Sequence, residues 1–190
     1  KGVNIANLIP ISPDEKVTSM IRVPEFDEEK YLVMVTKQGI IKRISLNAYN
    51  TARKGGLIAL ELNEGDELAW VRLTDGNQQV VVATKNGLAI RFEETDVRPM
   101  GRQARGVKAI SLREGDCVVG MCVVANDDLI LTASETGFGR ISNVSDYRLQ
   151  SRGGKGITNY HTEKYGNVAA VSAVKLTDDI IIISQEGVII

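Results

Sequence analysis

The sequence predicts an all-β protein, a bladed, propeller-like array built from four-stranded repeats of about 50 residues. Three observations predict it: apolar strand-turn-strand segments recur along the chain, their turn glycines keep a nearly constant spacing, and no stretch shows extended helical periodicity. Units of this length and strand content are typical of bladed arrays, in which equivalent loops share one edge. With 190 residues and 43% apolar content, the chain can form one domain with a substantial core.

Each repeat contains a predicted β-hairpin with a glycine at its turn. The glycines supply the positive φ of a tight turn, and they are spaced by 48, 50 and 50 residues at Gly39, Gly87, Gly137 and Gly187. The first strand of each hairpin is a continuous apolar run, which we expect to be buried on both faces. The second strand alternates more, so we expect one of its faces to meet water. The hairpins span 31–44, 80–92, 129–141 and 180–190.

A second series of glycines, Gly56, Gly106 and Gly156, has a spacing of 50 residues, and each glycine is followed by an aliphatic residue. Polar turns come next, at 63–68, 113–118 and 163–168. These landmarks divide a single domain over residues 1–190 into repeats at roughly 1–55, 56–105, 106–155 and 156–190. The chain begins within a repeat and stops in a strand-like run. We therefore expect a fragment of a longer protein that holds an incomplete wheel.

Several kinds of chemistry lack their sequence signature. The glycine-rich stretch at 150–156 fails the P-loop pattern, because Leu149 and Gly156 stand where Gly and Ser/Thr are required. His161 is the single histidine and no metal-ligand spacing surrounds it. Cys117 and Cys122 fit two buried thiols in a reducing compartment. Since the chain also carries no signal peptide and no membrane-length apolar run, we expect a cytoplasmic protein.

The net charge is only −1, yet the charges are unevenly distributed. Three in-frame loops carry cations and no carboxylate: Arg53 and Lys54; Arg98, Arg102, Arg105 and Lys108; Arg148, Arg152 and Lys155. The acids gather in other turns, at Glu61, Glu64, Asp66, Glu67, Glu114, Asp116, Asp127 and Asp128. Because equivalent loops share an edge, the basic loops are predicted to form a cationic stripe.

Such a stripe fits a polyanion that runs from blade to blade, and duplex DNA carries about one charge per 1.7 Å of its axis. Four hairpin cations, Lys42, Arg43, Arg91 and Arg140, would widen the stripe if their strands face the same edge. The three arginines of this set are interpreted as sharing one frame. The alternative is that all these cations are solvated surface residues. Few base-reading residues accompany them, so the predicted contact is not sequence-specific.

The stretch "QSRGGKG" at 150–156 resembles the glycine-rich basic box, Gln-Arg-Arg-Gly-Gly-Lys-Gly, of the C-terminal domain of the DNA gyrase A protein. The recurring hairpin "TKQGIIKRI" with its basic loop is also similar to the repeat of that family, and the resemblance covers the whole chain. Gln150, Arg152, Gly153, Gly154, Lys155 and Gly156 match the box, whereas Ser151 departs from it. The loops at 51–56 and 101–106 match it more loosely.

The resemblance implies a β-pinwheel, a bladed disc whose neighbouring blades exchange strands. It further implies that the rim binds, bends and wraps duplex DNA, which supports ATP-dependent negative supercoiling by a bacterial, nucleoid-associated type IIA topoisomerase. The expected partners are DNA and, in an A2B2 complex, the B subunit together with the rest of the A subunit. Mg²⁺, ATP and the catalytic tyrosine would lie elsewhere in that enzyme, so the resemblance implies that this chain is a non-catalytic domain without a cofactor of its own.

The predicted DNA contacts are the loop cations Arg53, Lys54, Arg102, Arg105, Lys108, Arg152 and Lys155, with the matched box residues and the four hairpin cations added. Two alternatives stay open at this point. One is the A subunit of topoisomerase IV, whose pinwheel bends DNA with less wrapping. The other is a propeller-type module that binds acidic protein partners with its rim.

Overall fold

A computed structural model describes residues 2–51, 55–184 and 186–189 of the chain. Its regular structure is almost entirely β, in three antiparallel sheets that follow one another along the chain. The strands are β1 (Tyr31–Thr36), β2 (Ile40–Ser45), β3 (Leu68–Thr74), β4 (Gln79–Thr84), β5 (Leu88–Glu93), β6 (Val107–Lys108), β7 (Val118–Val124), β8 (Leu129–Ser134), β9 (Gly139–Asn143), β10 (Ile157–Thr158) and β11 (Val168–Val174). The predicted all-β, bladed fold is confirmed.

Short helical segments precede the first strand or lie between strands. Turns of 3-10 helix lie at Ile5–Asn7, Leu46–Tyr49, Glu94–Asp96 and Val144–Asp146, and the single α-helix of the described residues, α1, spans Thr162–Tyr165. The last three 3-10 turns each follow a hairpin directly, and each buries one residue: Leu46, Glu94 or Val144. They turn the chain out of each hairpin at an equivalent point.

The strand order shows that the blades exchange strands. The first blade has the order β3-β1-β2-β6, and the second has β10-β5-β4-β7, so the hairpin is the centre of each. The third blade contains β11, β8 and β9. In each of the first two blades one edge strand, β6 or β10, follows the next hairpin in the sequence. A blade therefore combines strands from three of the sequence repeats.

Two of the three buried apolar clusters in the described residues lie between blades, and the third packs on the first blade around Leu32 and Ile44. One buried cluster joins Val33 and Ile41 of the first blade to Val82 and Phe92 of the second, and Ile110 closes it after β6. A second cluster packs the second blade against the third. Gly120 on β7 permits a close approach of β11, since a Cβ there would lie 2.9 Å from Cβ of Val171. The blades are consequently held in a fixed relation to one another.

Two predictions about the hairpins need correction. The second strands β2 and β5 are buried along most of their length, because the exchanged strands and the neighbouring blade cover them. The hairpin predicted at 180–190 forms its turn, with Ser184 O accepting from Gly187 N at 2.9 Å, but pairs only as the isolated bridge Ile183–Ile189. Its aliphatic side chains are exposed, so the apolar contacts that stabilise the other hairpins are missing among the described residues.

Candidate nucleic-acid interface

The glycine-rich basic loops are bulges on the outer edges of successive blades. In the first blade Met100 N donates to Arg43 O at 2.9 Å, the chain bulges outward over 101–106, and β6 then pairs with Ile40 and Ile41. In the second blade Gln150 N donates to Arg91 O at 3.0 Å before the bulge at 151–156, and β10 pairs with Leu88 and Ala89. The two loops thus occupy equivalent positions.

The glycine that ends each bulge is required by the exchanged strand. Gly106 and Gly156 have φ values of 101° and 75°, a region that side chains rarely adopt. A Cβ on Gly106 would lie 2.6 Å from Ile41 O, and one on Gly156 would lie 2.4 Å from Ala89 O. Gly156, predicted as part of the DNA-binding box, therefore faces the neighbouring backbone and permits β10 to dock.

The two central glycines of the box are bonded to the segment that follows β6. Gly153 N donates to Ala109 O at 2.6 Å, and Ser111 N donates to Gly154 O at 2.8 Å. The Ser111 hydroxyl donates to Gly153 O at 2.8 Å. Gly153 has a φ of 82° and its chain passes close to Lys108 O. The loop after β9 is thereby fixed directly against the segment that contains β6.

The first two loops are joined by a buried lysine. Lys42 is fully buried, and its Nζ donates to Ala59 O at 2.7 Å, Arg102 O at 2.6 Å and Ala104 O at 3.0 Å. A shallow cleft lined by residues 56–58 and 101–104 lies between the same two loops. Residues 55–59, 98–108 and 148–156, which we name the rim loops, therefore form one connected edge.

Exposed cations are distributed along the rim loops, and two pairs of them, Arg98 with Arg148 and Arg105 with Lys155, are one 50-residue period apart. The set comprises Arg98, Arg102, Arg105, Lys108, Arg148 and Lys155, which we name the rim cations. Arg105 is paired with Glu61 at 2.5 Å, both side chains being more than half exposed, and the pairing raises the Arg105 pKa and lowers the Glu61 pKa. The predicted contacts Arg53 and Lys54 lie outside the described residues.

Three of the four hairpin cations do not widen this surface, which corrects the prediction. Lys42, Arg43 and Arg91 are at least nine-tenths buried. Burial lowers the pKa of Lys42, because a charged ammonium is costly to remove from water. Its three carbonyl partners satisfy all three donors of the ammonium group. These cations hold backbone segments in place and are inaccessible to a phosphate.

Arg43 and Arg91 are equivalent clamps between blades. Arg43 Nε donates to Val97 O at 2.7 Å, and its Nη1 lies 3.7 Å from Oε2 of the fully buried Glu94. Arg91 Nη1 donates to Val144 O at 3.0 Å and Tyr147 O at 3.2 Å. Each guanidinium thus binds the turn that follows the next hairpin, so its charge is used inside the protein.

Arg140 belongs to a different frame from the other two hairpin arginines. Arg43 and Arg91 pair with Val33 and Val81, four residues after their turn glycines, whereas Arg140 is three residues after Gly137 and pairs with Thr132. A shift of one residue along a strand places the side chain on the opposite face.

Arg140 corresponds to Lys42, and it is exposed beside a cleft lined by Phe138, Gly139, Tyr160, His161 and Tyr165.

The remaining box residues differ in accessibility. Lys155 is exposed, whereas Arg152 and Gln150 are half-buried. Arg152 Nε donates to Asp96 O at 3.0 Å and its Nη1 to Lys108 O at 3.1 Å. The predicted contacts omit Arg98 and Arg148, although their 50-residue spacing is a usable signal. The rim cations lie on one connected edge, whereas the side chain of Arg152 is directed partly into the protein.

Other chemistries find little support in the described part of the chain. No group of three or more His, Cys, Asp or Glu side chains is placed to hold a metal ion there. Both cysteines are free thiols, and burial raises the pKa of Cys122 to about 11, well above that of a reactive thiolate. Among the same residues, no helix is long and apolar enough to cross a bilayer.

Comparisons with known proteins agree with this architecture. The family described as DNA gyrase C-terminal domain, beta-propeller, matches residues 30–75, 78–124 and 128–175, which are the hairpin and following strand of each blade. The A subunit of DNA gyrase from Staphylococcus epidermidis is 46% identical over the whole chain, and that from Staphylococcus aureus is 43% identical. The chain spans only 22% of the length of these relatives.

Two solved structures share the fold along nearly the whole chain. A C-terminal domain of DNA topoisomerase IV superposes with a TM-score of 0.91 at 28% identity, covering 99% of this chain and 59% of that one. A DNA gyrase A C-terminal domain superposes with a TM-score of 0.86, also at 28% identity, covering 98% of this chain and 63% of that one. Exchanged blades, matched repeats and these relatives together place the chain in the DNA gyrase C-terminal domain family.

Proposed function

We propose that this chain binds duplex DNA along the rim loops without sequence specificity and bends or wraps it. The observation that carries the proposal is the connected edge on which the rim cations lie, joined by Lys42 on one side and by the Gly153–Ala109 contact on the other. Glu61 is the one carboxylate that pairs with a rim cation in the described residues. A phosphate backbone crossing this edge would meet positive charge from blade to blade.

The proposed setting is the A subunit of a DNA gyrase, in which wrapping supports ATP-dependent negative supercoiling. The identity of 43% and 46% to gyrase A subunits over the whole chain supports this setting. On this proposal the partners are the B subunit, the rest of the A subunit's chain and DNA, and Mg²⁺ and ATP bind to those other parts of the enzyme. DNA cleavage and ATP hydrolysis would then lie outside these residues.

A DNA-bending domain of topoisomerase IV is the second candidate, favoured by the TM-score of 0.91 to a C-terminal domain of DNA topoisomerase IV. Ligation of nicked plasmid in the presence of the protein separates the two functions. Chiral wrapping changes the linking number of the closed product, whereas bending alone leaves it unchanged. A change supports the gyrase function, and binding without a change supports the topoisomerase IV function.

The DNA-binding proposal itself is tested by the salt dependence of affinity for a random-sequence duplex. Each phosphate that is neutralised contributes about −0.9 to the slope of log K against log salt. If the five rim cations not paired with a carboxylate each contact one phosphate, the slope should be roughly −4 to −5. A slope near zero, or the same affinity for an acidic polypeptide at every salt concentration, would contradict the proposal.

A further inference from the structure

Arg152 lies at the junction of three segments. Its Nε donates to the carbonyl of Asp96, which ends the 3-10 turn after β5, at 3.0 Å. Its Nη1 donates to the carbonyl of Lys108 on the exchanged strand β6, at 3.1 Å. The guanidinium therefore ties the box to the turn after β5 and to the exchanged strand β6.

The same arrangement occurs at the neighbouring junction with a different residue. There the ammonium of Lys42 binds Ala59 O on one rim loop and Arg102 O on the next. The residue at the position of Lys42 in the second blade is Ile90, whose Cδ1 lies near Gly154 and offers no donor. Each of these two junctions between rim loops is thus spanned by one cation bonded to carbonyl groups, although the cation comes from a different element.

These bonds limit what Arg152 can offer to DNA. An arginine binds a phosphate most strongly through two parallel N–H groups, commonly those of Nε and an Nη. The Nε–H of Arg152 and one N–H of Nη1 already have carbonyl partners. Lys155, three residues along, is exposed, and its side chain has no hydrogen bond or ion pair in the part of the chain described here.

We propose that Arg152 is a positioning residue that fixes the angle between adjacent rim loops and so sets the DNA curvature, while Lys155 provides the phosphate contact of the box. This inference rests on the proposed function. Since bending a stiff duplex is costly, its curvature depends on where the protein holds successive phosphates. A loop that shifts relative to its neighbour would still bind DNA but would bend it less.

Two substitutions at Arg152 separate positioning from contact. Arg152→Gln removes the charge and the Nη1 donor and leaves only an amide N–H₂ near the position of Nε, so the bond to Lys108 O should be lost, the bend should decrease and the salt slope should stay unchanged. Arg152→Lys keeps the charge and supplies an ammonium that can donate to both carbonyls, as Lys42 does at the neighbouring junction, so the bend and the slope should both be kept. Both are measured in the full chain, with an end-labelled duplex for the bend by FRET and a salt titration for the slope.

Lys155→Gln is the matched control, because it makes the same change from cation to amide at an exposed position of the same loop. It should reduce the magnitude of the slope by about 0.9 and leave the bend unchanged. If Arg152→Gln instead lowers the magnitude of the slope by that amount and leaves the bend unchanged, Arg152 is a phosphate contact and the positioning role is wrong. If the unsubstituted protein fails to bind DNA, the proposed function fails first.

Discussion

At the scale of single residues, the same residue type serves opposite purposes in this protein, and burial decides which. Lys42 and Lys155 both follow glycine-containing turns, but Lys42 binds three carbonyl groups inside the protein while Lys155 faces water. Composition and spacing locate cations without revealing which side of a strand they occupy. The sequence could therefore predict the rim cations of the loops but not the buried role of Lys42.

The glycines of the box also divide by role, and this predicts different outcomes for one substitution. Gly156→Ala should lower the free energy of unfolding by roughly 2 kcal/mol or more, since a positive φ and a contact with Ala89 O both oppose a side chain. Gly154→Ala should change it by no more than about 0.5 kcal/mol, because only ordinary contacts at 3.6 Å and beyond surround that position. Urea unfolding measures both, and equal effects would contradict this assignment.

At the scale of elements, the hairpins were predictable and the exchanged strands were not. The hairpins at 31–44, 80–92 and 129–141 have apolar runs and turn glycines, and all three form. Strands β6 and β10 contain two residues each, too few for any periodic pattern, and their pairing partners are far earlier in the chain, at Ile40 and Ile41 or at Leu88 and Ala89. The sequence marks these two strands by the glycines Gly106 and Gly156. The reason that glycine is needed there is the close backbone contact that each makes in the structure.

The clamp formed by Arg43 is a property of elements, because it joins a hairpin to the turn after the next hairpin. Arg43→Met should lower the free energy of unfolding by about 3 kcal/mol, since it leaves the buried Glu94 carboxylate without its cation. Urea denaturation checks the stability, and DNA affinity of the folded variant at low salt should remain unchanged. Reduced affinity with unaltered stability would show that Arg43 contacts phosphate after all.

At the scale of the whole molecule, the proposed function depends on the constant geometry of successive blades. Because the repeat is about 50 residues long, cations that are far apart in the sequence lie on neighbouring loops. The hydrogen bonds of Lys42, Arg152 and Gly153 hold those loops together. The net charge of −1 gives no hint of this surface, because acidic turns elsewhere balance it. Periodicity predicted the connected edge, whereas the bonds that connect it required coordinates.

The measurement that tests this account most directly compares two triple-alanine variants with the same loss of charge. One replaces Arg102, Lys108 and Lys155 on the rim loops, and the other replaces Arg72, Arg113 and Lys175, which are exposed on β3, in an acidic turn and after β11. Affinity for duplex DNA is measured across a range of salt concentrations. The account predicts that the rim variant loses about three contacts, or roughly 2.7 from the magnitude of the slope, and that the second variant keeps the slope of the unsubstituted protein. Equal losses in the two variants would contradict a DNA-binding rim.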